Sequence, residues 1–165
     1  RRYPRRKPGY NSRPPVYAAP VRLEALFEKA FAPLLVPMEL KNQAFRIEDG
    51  GLQLCCDANW TAEALLNIVK NCTEHTTQGG RIEIICEQNP LYTQIRIMDN
   101  GPGIDSADLP YIFNRFYRGR NASADSVGIG LAMSAAIIQG QGGSIAVQST
   151  NAGSTFTIRF PRVME

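Results

Sequence analysis

A strand that ends in an acid and two glycines sets the tightest limit on what this chain can fold into. In Gln94-Ile-Arg-Ile-Met-Asp-Asn-Gly-Pro-Gly-Ile104, Ile95 and Ile97 alternate with polar residues, the period of a half-buried strand. The strand stops at Asp99, and Asn100, Gly101 and Gly103 form a turn behind it. Asp-Asn-Gly is a hairpin signal in its own right. The other reading is a ligand site. A carboxylate at a strand end can accept a hydrogen bond from the amino group of a flat ligand, which the glycines admit without a Cβ clash. The rest of the chain decides between the two.

The 165 residues suffice for one domain with a substantial core. An apolar share of 44% and a charged share of 20% are ordinary for a globular protein. No run of about 18 apolar residues could span a membrane. The absence of an initiator Met and of a signal pattern suggests a piece of something longer. The net charge of +3 hides two opposed parts. Arg1, Arg2, Arg5, Arg6, Lys7 and Arg13 crowd into a short arm without acids, and the remainder holds 12 basic and 15 acidic residues. A basic arm can serve nucleic acid, but the acidic body argues against it. Cys55, Cys56, Cys72 and Cys86 lack metal-site spacing and read as small buried thiols.

Residues 1–20 are rich in proline and basic side chains and predict an extended or disordered arm. The folded part is expected over 21–161, with 162–165 as a tail. Leu23, Leu26, Phe27 and Ala30 fall at helical spacing. Ala44–Ile47 and Leu52–Cys56 read as short strands around an Asp49-Gly-Gly turn. From Asp57 to Thr76, the residues Trp60, Ala64, Leu65, Ile68, Val69 and Cys72 make one apolar helix face. Asn67 and Asn71 stand one turn apart on that helix, where asparagine is an indifferent former. They are either solvated amides or oxygen ligands of the kind Mg²⁺ accepts. Arg81–Glu87 and Thr93–Asp99 are consecutive strands. Pro110–Tyr117 holds an aromatic knot, the polar stretch from Arg118 to Ser126 behind it reads as mobile, and 114–127 is expected to be the least ordered part of the domain, a lid. Gly128 and Gly130 open a helix over Leu131–Gln139, a place where free N–H groups can meet an anion. Ser144–Ser149 and Ser154–Pro161 are the last strands. The order predicts an α/β two-layer sandwich with a mixed, mostly antiparallel sheet and helices on one face.

Five stretches, in this order, resemble a known family. Asn67-Ile-Val-Lys-Asn71-Cys-Thr-Glu-His-Thr76 resembles the N box of sensor histidine kinase catalytic domains, and Asp99-Asn-Gly-Pro-Gly103-Ile the G1 box. Ile112-Phe-Asn-Arg-Phe-Tyr-Arg118 resembles the F box, Gly128-Ile-Gly-Leu-Ala-Met-Ser134 the G2 box, and Gly153-Ser-Thr155-Phe the last motif. The wider group is the GHKL class, which includes DNA gyrase, heat-shock-ninety chaperones and MutL, and the resemblance implies its Bergerat fold. It implies that Asp99 holds the adenine amino group of ATP beside Gly101 and Gly103, with Thr155 bonded to Asp99 or to a water. It implies Mg²⁺ on Asn71, with Asn67 and Lys70 near the phosphates. Gly128, Gly130 and Leu131 would line the nucleotide, and Arg115 or Arg118 would reach the terminal phosphate. The implied acceptor is a histidine on a separate dimerisation domain, with relay to a response regulator. The implied parent is a homodimer attached to a membrane, with this domain in the cytoplasm.

Two positions depart from the family pattern. The N box often carries a basic residue and then Tyr, where this chain has Glu74 and His75. Glu74 predicts weaker nucleotide affinity, or more dependence on the lid arginines. His75 lies inside the nucleotide-site helix, so it is not read as the phosphoacceptor. Hydrolases of the gyrase type place a Glu at the first N-box position, and Asn67 stands there instead. The F box argues against the serine kinases that regulate sigma factors. The remaining alternative is a degenerate GHKL domain that senses nucleotide or binds partners.

Overall fold

A computed structural model of the chain describes residues 17–115 and 130–162. The elements in chain order are β1 (Ala19–Arg22), α1 (Leu23–Phe31), α2 (Leu35–Leu40), β2 (Ala44–Glu48), β3 (Gln53–Cys56), α3 (Ala58–His75), β4 (Arg81–Gln88), β5 (Tyr92–Asp99), α4 (Gly130–Gly140), β6 (Ser144–Thr150) and β7 (Gly153–Pro161). Single 3₁₀ turns cover Ala32–Leu34 and Leu109–Tyr111. Among the described residues, five strands form one sheet in the order β2-β4-β5-β7-β6, with only the β2–β4 pair parallel. This is the predicted mixed, mostly antiparallel sheet with helices packed on it.

Strand alternation builds the core. Ile84, Ile97 and Phe156 stand opposite one another across β4, β5 and β7, and Ile95 faces Ile158. All are buried. Leu65, Ile68, Val69 and Cys72 of α3 close over this face, with Leu23, Leu26, Phe27 and Phe31 of α1 beside them. Each such side chain contributes about 1.5–3 kcal/mol relative to exposure. The next row toward the strand ends is Ile82, Asp99 and Ser154. Period two therefore brings a carboxylate to the helix-covered face, where the two previous positions of β5 carry isoleucine.

The first half of the chain differs from a hairpin. β2 and β3 both exist, but they do not pair with each other. β2 runs parallel to β4 at the sheet edge, and β3 pairs antiparallel with β1 in a separate two-stranded sheet. Gly50 and Gly51 are both left-handed, at φ +66°, and the chain leaves this turn toward a different sheet. Ala19 and Pro20 belong to β1, where they pair with Cys56 and Cys55. Leu34–Leu40, broken by prolines, forms one 3₁₀ turn and a six-residue helix. Cys56, Cys72 and Cys86 are buried free thiols as read, whereas Cys55 is exposed on β3.

Candidate functional site

The site gathers where β5 ends beneath the last turns of α3. Asp57 caps the start of α3, its Oδ1 accepting from the Trp60 amide at 3.0 Å and its Oδ2 from the Tyr17 amide at 2.8 Å. These bonds, that from Trp60 first, hold the Asp57 carboxyl below its ordinary value despite burial. At the other end, the Gln43 side-chain amide donates to the carbonyls of Thr73 and Thr76 at 3.1 and 2.9 Å. Lys41 Nζ donates to the Thr73 carbonyl at 2.6 Å. The open carbonyls of the α3 C-terminus are thus satisfied from the segment before β2.

Asp99 is half-buried. Its Oδ1 accepts from the Gly101 amide at 3.0 Å and from the Ser154 amide at 3.4 Å. The Cys72 thiol of α3 lies against the same carboxylate. Burial first, then the Asp99 charge and the hydrogen bond to it, push that thiol well above its ordinary value. Cys72 therefore faces Asp99 as a neutral S–H.

The glycines of the turn are needed first by the protein itself. A Cβ on Gly101 would sit 3.0 Å from the His75 carbonyl oxygen and 3.3 Å from Thr76 Cα, so the turn nests against the end of α3. Gly103 is left-handed at φ +82°, and a Cβ there would collide with the Thr150 carbonyl oxygen of β6. The Ile104 amide donates to Ser149 Oγ at 2.7 Å, tying the far side of the turn to that strand.

Asn67 and Asn71 are both half-buried on one side of α3. The α4 N-terminus arrives at Asn67, where a Cβ on Gly130 would stand 3.7 Å from Asn67 Cβ and 3.9 Å from its Oδ1. Ser134 Oγ donates to the buried Ala64 carbonyl at 2.8 Å and pins α4 to α3. Among the described residues the Asn71 side chain makes no hydrogen bond, and no three His, Cys, Asp or Glu gather as a metal cluster. Lys70 and Glu74 are exposed on the same helix, and Leu131 is half-buried at the start of α4. Of the aromatic knot, Ile112 and Phe113 pack on the core, Phe113 edge-on to Phe156 at 6.4 Å between centroids. Arg115 is exposed behind them. Arg118, Gly128 and nearly all of the expected lid over 114–127 lie outside the described residues.

Thr155 requires a correction. It stands opposite Met98, and alternation turns it to the face of the sheet away from Asp99. Ser154 is the residue paired with Asp99, buried, with its Oγ 2.9 Å from Ser149 Oγ. The signal was in the sequence. Phe156, Ile158 and Phe160 are the apolar positions of β7, and counting back by two from Phe156 reaches Ser154. Cys72 was likewise seen only as an apolar position, because nothing local in the sequence ties it to Asp99.

These features coincide with a family match. Residues 56–164 match the family described as histidine kinase-, DNA gyrase B-, and HSP90-like ATPase. The chain belongs to that family, as an ATP-binding catalytic domain of the histidine kinase kind. Over 122 residues it is 32% identical to the sensor histidine kinase YvrG of Bacillus subtilis, covering 72% of this chain and 21% of that protein. Its fold superposes on the mycobacterial sensor histidine kinase MprB with a TM-score of 0.77 at 24% identity, covering 88% of this chain and all of that one. It also superposes on histidine kinase ThkA, solved in complex with the response regulator protein TrrA, with a TM-score of 0.75 at 22% identity. That match covers 90% of this chain and 42% of ThkA. The chain spans about a fifth of the length of the curated relatives it matches, 21% of YvrG for example.

Proposed function

We propose that the domain binds Mg-ATP between Asp99, the Asn67–Asn71 side of α3 and the start of α4. It would then donate the γ-phosphoryl group to a histidine on a separate dimerisation domain of its parent. The observation that carries this reading is the placement of Asp99. A half-buried carboxylate occupies a core-face position of β5, held by the Gly101 amide and backed by the Cys72 S–H. A carboxylate so oriented is an acceptor for the amino group of adenine. The turn 99–103 borders the base, and the α4 N-terminus at Asn67 turns N–H groups toward the phosphates.

Asn71 supplies the oxygen for Mg²⁺. Asn71 would hold the ion by its amide oxygen, with water and the nucleotide's phosphates as the further oxygen donors, a mode Mg²⁺ favours. Bound there, the ion would neutralise charge on the phosphates. Lys70 and Asn67 lie beside the same path, and Arg115 with Arg118 would meet the terminal phosphate. In the transfer, the acceptor's imidazole nitrogen bonds to the γ-phosphorus as the bridging P–O bond breaks, and ADP leaves. A response regulator would take the phosphoryl group next, as the complex of ThkA with TrrA suggests. The parent is proposed as a membrane-attached homodimer with this domain in the cytoplasm. No helix among the described residues is long and apolar enough to cross a membrane.

A second reading, a domain that senses nucleotide without transferring phosphate, draws on Glu74. That carboxylate follows Asn67 and Asn71 by seven and three residues, on the same side of α3. The experiment is an ATP titration with and without Mg²⁺, followed by addition of the parent's helical domain and ATP labelled at the γ-phosphate. Label on a histidine of the helical domain supports transfer. Binding without label supports the sensing reading, and no binding refutes both.

A further inference from the structure

On the side of the fold built by α1 and β2 lies a groove of about 440 Å³ that the nucleotide reading does not use. Phe27, Phe31 and Phe45 line it, with Phe31 stacked on Phe27 and edge-on to Phe45, each at 5.5 Å between centroids. The floor extends to Leu35 and Ile47, which remain 55% and 37% exposed. Phe27 and Phe31 lie almost wholly under the surface, so the open apolar part of the groove is Phe45 with Leu35 and Ile47, a contiguous patch rather than scattered single side chains. Its rim is acidic. Glu24 and Glu28 stand one turn apart on α1, and Asp49 follows β2. The cations nearby do little to neutralise it. Arg22 reaches Glu24 only at 3.9 Å, both side chains largely exposed, while Arg46 pairs with Glu48 and Lys29 bonds Asn59. Glu28 and Asp49 have no ion pair among the described residues.

The chain carries a segment of the opposite character. Residues 1–16 hold six basic side chains, no acid, four prolines and the aromatics Tyr3 and Tyr10. Proline-rich strings of this kind favour the polyproline II helix, and aromatic-lined grooves recognise that helix with little ordering cost. Acidic rims add selectivity for flanking arginines. The tether allows it. Tyr17 is fixed by the hydrogen bond its backbone N–H donates to Asp57 Oδ2, and β1 leads from there to α1. At ~3.1 Å per residue, a sixteen-residue segment reaches ~50 Å, while β1 spans only about 3.3 Å per residue back to α1. A short tether also gives an effective concentration in the ~mM range, so a weak contact suffices.

We propose that residues 1–16 dock in this groove of their own chain, with arginines against Glu24, Glu28 and Asp49 and a tyrosine or proline against Phe45, Leu35 and Ile47. The contact is intramolecular, electrostatically steered and separate from the nucleotide site, so its fate is independent of ATP binding.

Limited trypsin digestion of the full chain tests it. Cleavage is read at Arg2, Arg5 and Arg6, because Lys7 and Arg13 precede prolines. A synthetic peptide of residues 1–16 is digested alongside to normalise the protease. The charge-reversed chain E24K/E28K, checked for folding by circular dichroism, should be cut in its arm about tenfold faster than the native chain. Raising salt to about 0.5 M should speed cutting of the native arm relative to the peptide. The proposal is overturned if native and charge-reversed chains are cut at one rate. It is also overturned if salt has no effect on the native arm. Protection that grows with protein concentration overturns it too, since the groove would then hold the arm of a second copy.

Discussion

Asp99 occupies a core-face position that would suit an isoleucine, and the fold accommodates its charge with two backbone amides and a thiol. Asn at this position keeps an oxygen for the Gly101 amide but offers an NH₂ where adenine's amino group would donate. Asp99→Asn should therefore weaken ATP binding about 10- to 100-fold, the worth of a charge-assisted hydrogen bond, while shifting the melting temperature little. Calorimetric titration and a thermal melt check the two halves separately. A large loss of stability with unchanged affinity would mean the carboxylate serves the fold alone. Asn71→Ala should cost affinity only when Mg²⁺ is present, because the alanine removes an oxygen ligand and leaves the buried face of α3 untouched. Glu74 is exposed on the side of α3 that carries Asn67 and Asn71. Glu74→Gln should tighten Mg-ATP about two- to fivefold at low salt, and the gain should fade as ionic strength rises. An unchanged constant would place Glu74 outside the field of the phosphates.

At the scale of elements, α3 carries the argument, since its two ends are set by different segments. Asp57 caps its start and ties in Tyr17, so Asp57→Ala should cost about 1–2 kcal/mol near neutral pH. The sign of the pH dependence follows from the lowered carboxyl. A group depressed in the fold stabilises above its unfolded value, about 3.9, and loses that contribution as pH falls through the lower folded value. Urea denaturation of both proteins should show the gap wide at pH 7 and narrowed below about pH 4. The helix itself was legible, because its apolar face repeats at the helical period. The G1 turn was legible too, though its glycines answer to His75 and Thr150 of the protein before any ligand. What the sequence concealed was pairing. β2 and β3 flank an Asp-Gly-Gly turn, yet they enter different sheets, because β4 and β1 offer partners that lie far along the chain. Local turn chemistry cannot register such competitors. Thr155 was misplaced by one residue for a related reason. In a strand, one position decides the face, and only the register against Asp99 makes Ser154 the inward one.

For the molecule as a whole, the proposed transfer requires a second folded body. The chain contains a single histidine, His75, and it sits in the last turn of α3 with its carbonyl oxygen packed where a Cβ on Gly101 would touch it. Its backbone is thus part of the wall beside Asp99. An in-line transfer needs the acceptor nitrogen beyond the γ-phosphate and opposite the leaving oxygen. A residue one turn from Asn71, beside the proposed base subsite, has the triphosphate running away from it. The domain should therefore bind ATP and keep no phosphoryl group. Incubated alone with ATP labelled at the γ-phosphate, it should carry no acid-labile label at any time point, and His75→Gln should leave nucleotide affinity within about twofold, the range of a weak polar contact. With the parent's helical domain added, label should appear on that domain at a rate that depends on both concentrations, since two folded bodies must meet before the phosphorus can be attacked. Label found on His75 would place donor and acceptor in one domain, and the proposed direction of the triphosphate would then be wrong.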